Sequence, residues 1–502
     1  MAVIQDAEPT LSAPERRLRK APVMMAVIMT LMWITFSAEA QTILPLLSTL
    51  EKQYNMTPVQ GAWAISALAI VSAAVTATLS RASDIWGVRR VLLLSIVTII
   101  VGNVISAAAP DGTLFIIGRA IAGFTAATPL MQAIFRLRAQ SDSRVDKNMG
   151  VMTAAVGIAL VLSFLLGGII LSLGGTARMA IWVIVVLGLI GLALVYLFVP
   201  DHPVRARVRL DWVGSVLIGA GLALVVVALG EAGTWGPTSG LTLGVLVGGI
   251  VVLALFAAWE LRVKEPMIHI KLIARRTMWP AMAVSAIAAM LGTCNTLAVS
   301  MFVETPSMVG YGFGTTVLVA GAILVPVGVA IGAGGPIMAP VINRLGQRNS
   351  AVLGTVILCV NFLWFMAAHT QIWEFALELF ILGVGFALAN TAAVSGYMRG
   401  ARPGESGMVS GTGSVIQIAF QALGPTLTVA LITAKMMVIK TPKGPVPGPP
   451  ALGDYTNAWL MMAIAAVVAI VAALMMKNSE TNQDLAPSAE TIVSAGGATP
   501  VS

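Results

Sequence analysis

The chain has 502 residues, of which 58% are hydrophobic before glycine is counted and only 10% are charged. Soluble domains carry about 45–50% apolar residues with glycine included and roughly 25% charged ones, so a water-soluble fold is excluded and a polytopic membrane protein is expected. The net charge of +8 is read as basic loops on one side of the membrane, not as a nucleic-acid surface.

Windows of about 20 apolar residues, the length that crosses ~30 Å of hydrocarbon, give fourteen spans in chain order. They lie near 23–47, 61–80, 91–109, 113–135, 149–172, 179–199, 211–231, 240–260, 279–303, 316–340, 350–368, 373–396, 407–433 and 457–476. With the N-terminus in the cytoplasm, 24 of the 30 Lys and Arg fall in cytoplasmic segments and 5 outside, with Arg119 alone inside a span. That asymmetry follows the positive-inside rule and puts both termini in the cytoplasm. The run from Arg16 through Ala38-Glu39-Ala40 also has the form of a signal peptide. Apolar character resumes at Thr42–Leu50, however, so an uncleaved first span is expected. The loop 435–456, with Pro442, Pro445, Pro447, Pro449 and Pro450, reads as an extended polyproline tether. The polar tail after Lys477 reads as disordered.

Several chemistries find no residues to carry them. The chain has no Gly-Lys-Ser/Thr phosphate loop, so P-loop ATP hydrolysis is excluded. His202, His269 and His369 are far apart in sequence and form no metal-ligand motif. Cys294 and Cys359 both sit in apolar runs and read as buried thiols. No enzymatic activity, cofactor, metal, ATP or nucleic-acid partner is expected.

The chain repeats itself. Asp84-Ile85-Trp86-Gly87-Val88-Arg89 after span 2 is echoed by Asn343-Arg344-Leu345-Gly346-Gln347-Arg348 after span 10, at an offset of 259. Gly150 to Gly167 and Gly407 to Gly424 have the same internal spacing of 17, at an offset of 257. Six spans therefore make one repeat. The expected organisation is a tail 1–22, a six-helix bundle 23–200, an inserted two-helix hairpin with its flanking loops 201–275, a second bundle 276–476 and a tail 477–502.

This all-α 6+2+6 layout resembles the major facilitator superfamily in its fourteen-span drug/proton antiporter branch. Arg209-Leu210-Asp211-Trp212 and Thr305-Pro306…Gly310-Tyr311-Gly312-Phe313-Gly314 are also similar to that branch. The resemblance implies export of amphipathic, in part cationic, organic compounds in exchange for protons. The abundance of Ala, Gly and Val points to a GC-rich bacterial source, so the expected setting is a bacterial cytoplasmic membrane. The expected partners are a small-molecule substrate, protons and the lipid bilayer, with the chain acting as a monomer. Import or facilitated passage of a small organic solute is one alternative, and a non-transporting membrane sensor or scaffold is another.

Three sets of residues carry the expected chemistry. The loop Ser80 to Arg90 resembles the superfamily's cytoplasmic motif, and its Asp84, Gly87, Arg89 and Arg90 form a candidate latch through charge-assisted bonds. Glu39 in span 1 and Arg119 in span 4 are ionisable groups inside the membrane, where the expense of burying charge makes function the default reading. Arg119 lies six residues into its span, roughly 9 Å deep, at the place of the family's span-4 arginine; snorkelling to the surface is the alternative. Glu39 stands where that branch carries an Asp. Glu378 sits at Arg119 plus the repeat offset and is read as a second proton or cation site or as a hydrated rim residue. Asn295, Thr296, Gln417 and Gln421 are candidate cavity residues, although amides in membrane helices also bond helix to helix. The branch's Gly-x-x-x-Gly-Pro-x-x-Gly-Gly signature in span 5 is represented by Ala159, Ser163, Phe164, Gly167 and Gly168, without the proline; span 13 keeps Gly424-Pro425.

Overall fold

The computed structural model describes residues 22–126, 130–131, 142–199, 210–236, 238–263, 266, 268–400, 406–434, 436–441 and 444–477. The disordered tail expected after Lys477 and the N-terminal tail up to residue 21 lie outside these. The main helices are α1 (Pro22–Gln41), α2 (Ile43–Gln53), α3 (Pro58–Trp86), α4 (Val88–Ala108), α5 (Gly112–Ala122), α6 (Asp142–Ser172) and α7 (Ala177–Phe198). They are followed by α8 (Trp212–Gly230), α9 (Gly240–Arg262), α10 (Trp279–Glu304), α11 (Val317–Phe365), α12 (Ile372–Arg399), α13 (Ser406–Ile432) and α14 (Leu452–Met475).

Among the described residues, twelve helical segments are long and apolar enough to cross a membrane, against the fourteen spans expected. The first and fourth expected spans are the two not counted, and each lies partly outside the described residues: the side chains of 23–29 in one, and 127–129 and 132–135 in the other. Their places are taken by the 20-residue α1 with α2 behind it, and by α5, which has only 11 residues. An 11-residue helix rises about 16 Å, roughly half the hydrocarbon thickness. The break between α1 and α2 falls where Pro45 has no N–H to give the Gln41 carbonyl.

The start and stop signals are local. Thr57 and Gln60 close a capping box on α3, Asp111 caps α5 through the Leu114 N–H, and Thr176 caps α7. Asp211 accepts from the Gly214 N–H at 2.8 Å and from Trp259 Nε1 at 3.1 Å. The Asp211-Trp212 motif thus starts α8 and ties it to α9. Thr78 Oγ lies 2.7 Å from Ser215 Oγ, which seats the α8–α9 pair on α3.

The duplicated motif has a backbone signature. Gly87 between α3 and α4 adopts φ +88°. Gly346, its echo, adopts φ +80° inside the continuous run of α11. Both are left-handed positions, open to glycine and costly for other residues. Across the two bundles α6 packs on α11 and α3 on α13. The first contact depends on glycine: a Cβ on Gly332 would come within 2.8 Å of the Gly157 Cα. Small residues let membrane helices approach this closely.

The proline-rich loop is not a polyproline tether. Met436–Thr441 (β1) and Gly444–Pro450 (β2) pair antiparallel, with Ile439 opposite Val446 and Lys440 opposite Pro445. Successive strand residues direct their N–H groups to opposite edges, so Pro445 and Pro447 remove donors from one edge and leave Val446 between them to pair on the other; a bulge interrupts this alternation before Pro449 and Pro450. Composition alone does not reveal this alternation. Both cysteines are buried and free.

Gly87→Ala and Gly346→Ala are expected to destabilise the protein by about 1–2 kcal/mol each through left-handed strain. Thermal unfolding in detergent checks this, with Gly411→Ala, where added bulk meets open space, as the neutral control.

Candidate functional site

α1 and α5 bring Glu39 and Arg119 together. Arg119 Nη1 donates to Glu39 Oε1 in a salt bridge. Its Nη2 donates to the Glu39 carbonyl at 2.8 Å, and its Nε to the Ala64 carbonyl of α3 at 3.1 Å. Asn103 of α4 donates from Nδ2 to Glu39 Oε2. Glu39 and Arg119 are 2% and 1% exposed, which removes the snorkelling alternative for Arg119. A guanidinium in the interior is held by fixed, forked bonds, and here these join α1, α3 and α5.

The second bundle carries a matching site with different chemistry. Glu378 of α12 is fully buried, so it is not a rim residue. Asn295 Nδ2 donates to both of its oxygens at 3.0 Å, and Asn361 Nδ2 to Oε1 at 2.7 Å. Asn361 is Asn103 shifted by 258 residues. The first bundle therefore holds an acid on α1 and a base on α5. The second holds an amide on α10 and an acid on α12. The Oδ1 atoms of Asn103, Asn295 and Asn361 are buried without a hydrogen-bond partner.

A cavity of about 470 Å³ lies between the bundles, with Trp33, Glu39, Gln41, Arg119, Asn390 and Gln421 in its wall. Of the four expected cavity residues only Gln421 lines it. Asn295 turns into its own bundle to hold Glu378. Thr296 bonds the Gly292 carbonyl of its own helix. Gln417 donates to Asn390 Oδ1 at 3.1 Å and so supports a wall residue from behind.

The expected latch is only partly visible. The Asp84 side chain lies outside the described residues. Gly87 forms the turn, and Arg89 donates to the Tyr196 carbonyl and stacks on its ring. Those Arg89 contacts stay within the first bundle. Arg90 is exposed.

At the opposite face the bundles meet through groups the sequence reading did not single out. Ser48 of α2 donates to Glu304 of α10, and Ser300 donates to the Leu44 carbonyl at 3.2 Å. Ser66 and Thr426 are 3.1 Å apart. Glu51, beyond the end of the first expected span, faces Glu304. Burial, with the Glu304 charge adding to it, pushes the Glu51 carboxyl up to about 7, against the opposing pull of Lys52. The periodicity of α2 is the only signal that would have found Glu51; Asn103 and Asn361 were findable by the repeat offset.

A profile of the Major Facilitator Superfamily matches residues 24–425, and the chain belongs to that superfamily. It is 26% identical to "Uncharacterized MFS-type transporter Rv1250" of Mycobacterium tuberculosis (strain ATCC 25618 / H37Rv), over 74% of this chain and 64% of that one. The match thus spans just under two thirds of that relative's length. The chain is 29% identical to the puromycin resistance protein pur8 of Streptomyces alboniger, over 46% of each. Among solved structures it resembles the human organic anion transporter MFSD10 in fold, with a TM-score of 0.59 and 16% identity over 92% of this chain and 100% of that one.

Arg119→Ala leaves Glu39 buried and uncompensated and is expected to destabilise the protein by about 3–5 kcal/mol. The double replacement Glu39→Gln with Arg119→Gln is expected to cost less than the sum of the single ones, measured by thermal unfolding as a double-mutant cycle. At the opposite face, a carboxyl raised above its ordinary range favours closure while protonated and loses that contribution as pH rises through about 7. Spin labels at Asn55 and Met308 are expected to move apart from pH 6 to pH 8, and the double replacement Glu51→Gln with Glu304→Gln to abolish the shift.

Proposed function

We propose that this superfamily transporter is a secondary exporter of amphipathic organic compounds, driven by proton inflow through alternating access across a bacterial cytoplasmic membrane. The observation that carries the reading is the buried Glu39–Arg119 pair set in the wall of a cavity between two bundles. Charge is retained inside a membrane protein where it does work. A proton falling through 100 mV releases about 2.3 kcal/mol.

In this reading Glu39, Arg119 and Glu378 couple protons to movement. A proton on Glu39 weakens its hold on Arg119 and so loosens α1 from α3 and α5. Glu378 holds its proton without a cation, because rotation of the Asn295 or Asn361 amide turns an unpaired oxygen towards a protonated carboxyl. Asp84, Gly87, Arg89 and Arg90 act as the latch on the cytoplasmic side. The chain crosses the membrane fourteen times as 6+2+6 and works as a monomer, with α1 plus the start of α2 up to residue 47, and α5, completing the two spans beyond the twelve. The positions of those helices at the first and fourth expected spans support this count. The name of the puromycin resistance relative supports export.

Import or facilitated passage is favoured by one feature. α6 carries Ser163 and Phe164 where the antiporter signature has Gly-Pro.

Everted vesicles separate the readings. Dye and drug accumulation is expected only with an imposed proton gradient, and Glu39→Gln and Glu378→Gln are each expected to slow it at least about tenfold. Movement that continues unchanged after an ionophore collapses the gradient would falsify antiport. Unimpaired transport by Arg119→Ala would remove the pair from the mechanism.

A further inference from the structure

The two acids of the sequence reading point to a cationic substrate, but the cavity wall does not. Its only charged residues among the described ones are Glu39 and Arg119, and these neutralise each other at contact distance. Both are almost wholly covered, and the remaining Arg119 bonds go to the backbone carbonyls of Glu39 and Ala64. Glu378 does not reach the wall; its oxygens point at Asn295 and Asn361 inside the second bundle. A cation entering this cavity would lose its hydration and meet no net counter-charge, which is strongly unfavourable in an apolar setting.

The wall does offer uncharged hydrogen-bonding groups. Gln41 from the first bundle and Gln421 from the second both line the cavity, and neither side chain has a hydrogen-bond partner among the described residues. Thr125 Oγ1, also in the wall, is buried without a partner. Each amide offers two donors and an acceptor. A volume of about 470 Å³ lies within the range of drug-sized sites.

We propose that the cavity selects an uncharged, hydrogen-bonding amphipathic compound, clasped between the Gln41 and Gln421 amides, and discriminates against organic cations. This rests on reading the cavity as the substrate site. The ion pair then serves as a neutral partition whose opening, not its charge, matters to the substrate.

Triphenylphosphine oxide and tetraphenylphosphonium are similar in size and differ in charge, and the oxide presents one strong acceptor. The full chain in nanodiscs is expected to bind the oxide saturably, at least about tenfold more tightly than the phosphonium. Gln41→Leu or Gln421→Leu is expected to weaken the oxide about five- to tenfold and leave the phosphonium unchanged. Arg119→Gln uncovers the Glu39 charge and is expected to raise phosphonium affinity at least about tenfold. Wild-type binding of the phosphonium as tight as the oxide overturns the proposal while leaving the transport reading intact. A preference for the oxide that survives both leucine replacements overturns the amide clasp. Absence of saturable binding by either probe removes the cavity as the substrate site, and with it the reading on which the proposal rests.

Discussion

A guanidinium and a carboxylate buried together in an apolar bundle tolerate each other's presence and little else. Separating them leaves a buried charge without its partner. Arg119 is held at three points, by the Glu39 carboxylate, the Glu39 carbonyl and the Ala64 carbonyl. It therefore fixes α1 and α3 around α5 at the height of the cavity. The short α5 owes its place to this triangle as well as to its own apolar face. Any movement of α1 relative to its neighbours has to rearrange the same bonds, so the motion of the bundle and the state of the pair are one variable.

The second bundle shows how the same scaffold can hold a carboxyl by other means. Duplication keeps positions but not identities. The arginine position of the first half becomes Glu378, the acid position becomes an amide, and the asparagine of α4 is retained as Asn361. One site is charge-balanced and bridges three helices. The other carries an acid with no cation, supported by dipoles alone. Backbones that approach closely at Gly157 and Gly332 bring α6 of one half against α11 of the other.

Much of the architecture was legible in the sequence, because a 20-residue apolar run has few other uses and because the Gly87 and Gly346 motifs share a spacing. Glu39, Arg119 and Glu378 were legible because a charge in a span is expensive. Asn103 and Asn361 were marked only by their repeat offset, and Gln41 by nothing. Amides in membrane helices commonly bond helix to helix, and a sequence does not give a helix's rotation about its axis. That same unknown rotation put Asn295 and Thr296 on the cavity list, when one faces Glu378 and the other its own backbone. Among the described residues, the helix at the fourth expected span is short for a local reason. Apolar composition continues past Ala122, but α5 ends there and Gly123 packs against the Leu68 carbonyl of α3.

The pairing of β1 with β2 has a consequence for how copies of the protein coexist in a crowded membrane. An unpaired strand edge is an invitation to a neighbour's strand. Pro445 and Pro447 withdraw two successive donors from one rim of β2, and a rim short of donors is a poor template for a third strand. The ribbon is less adhesive for it, and adjacent molecules have less there to zip onto.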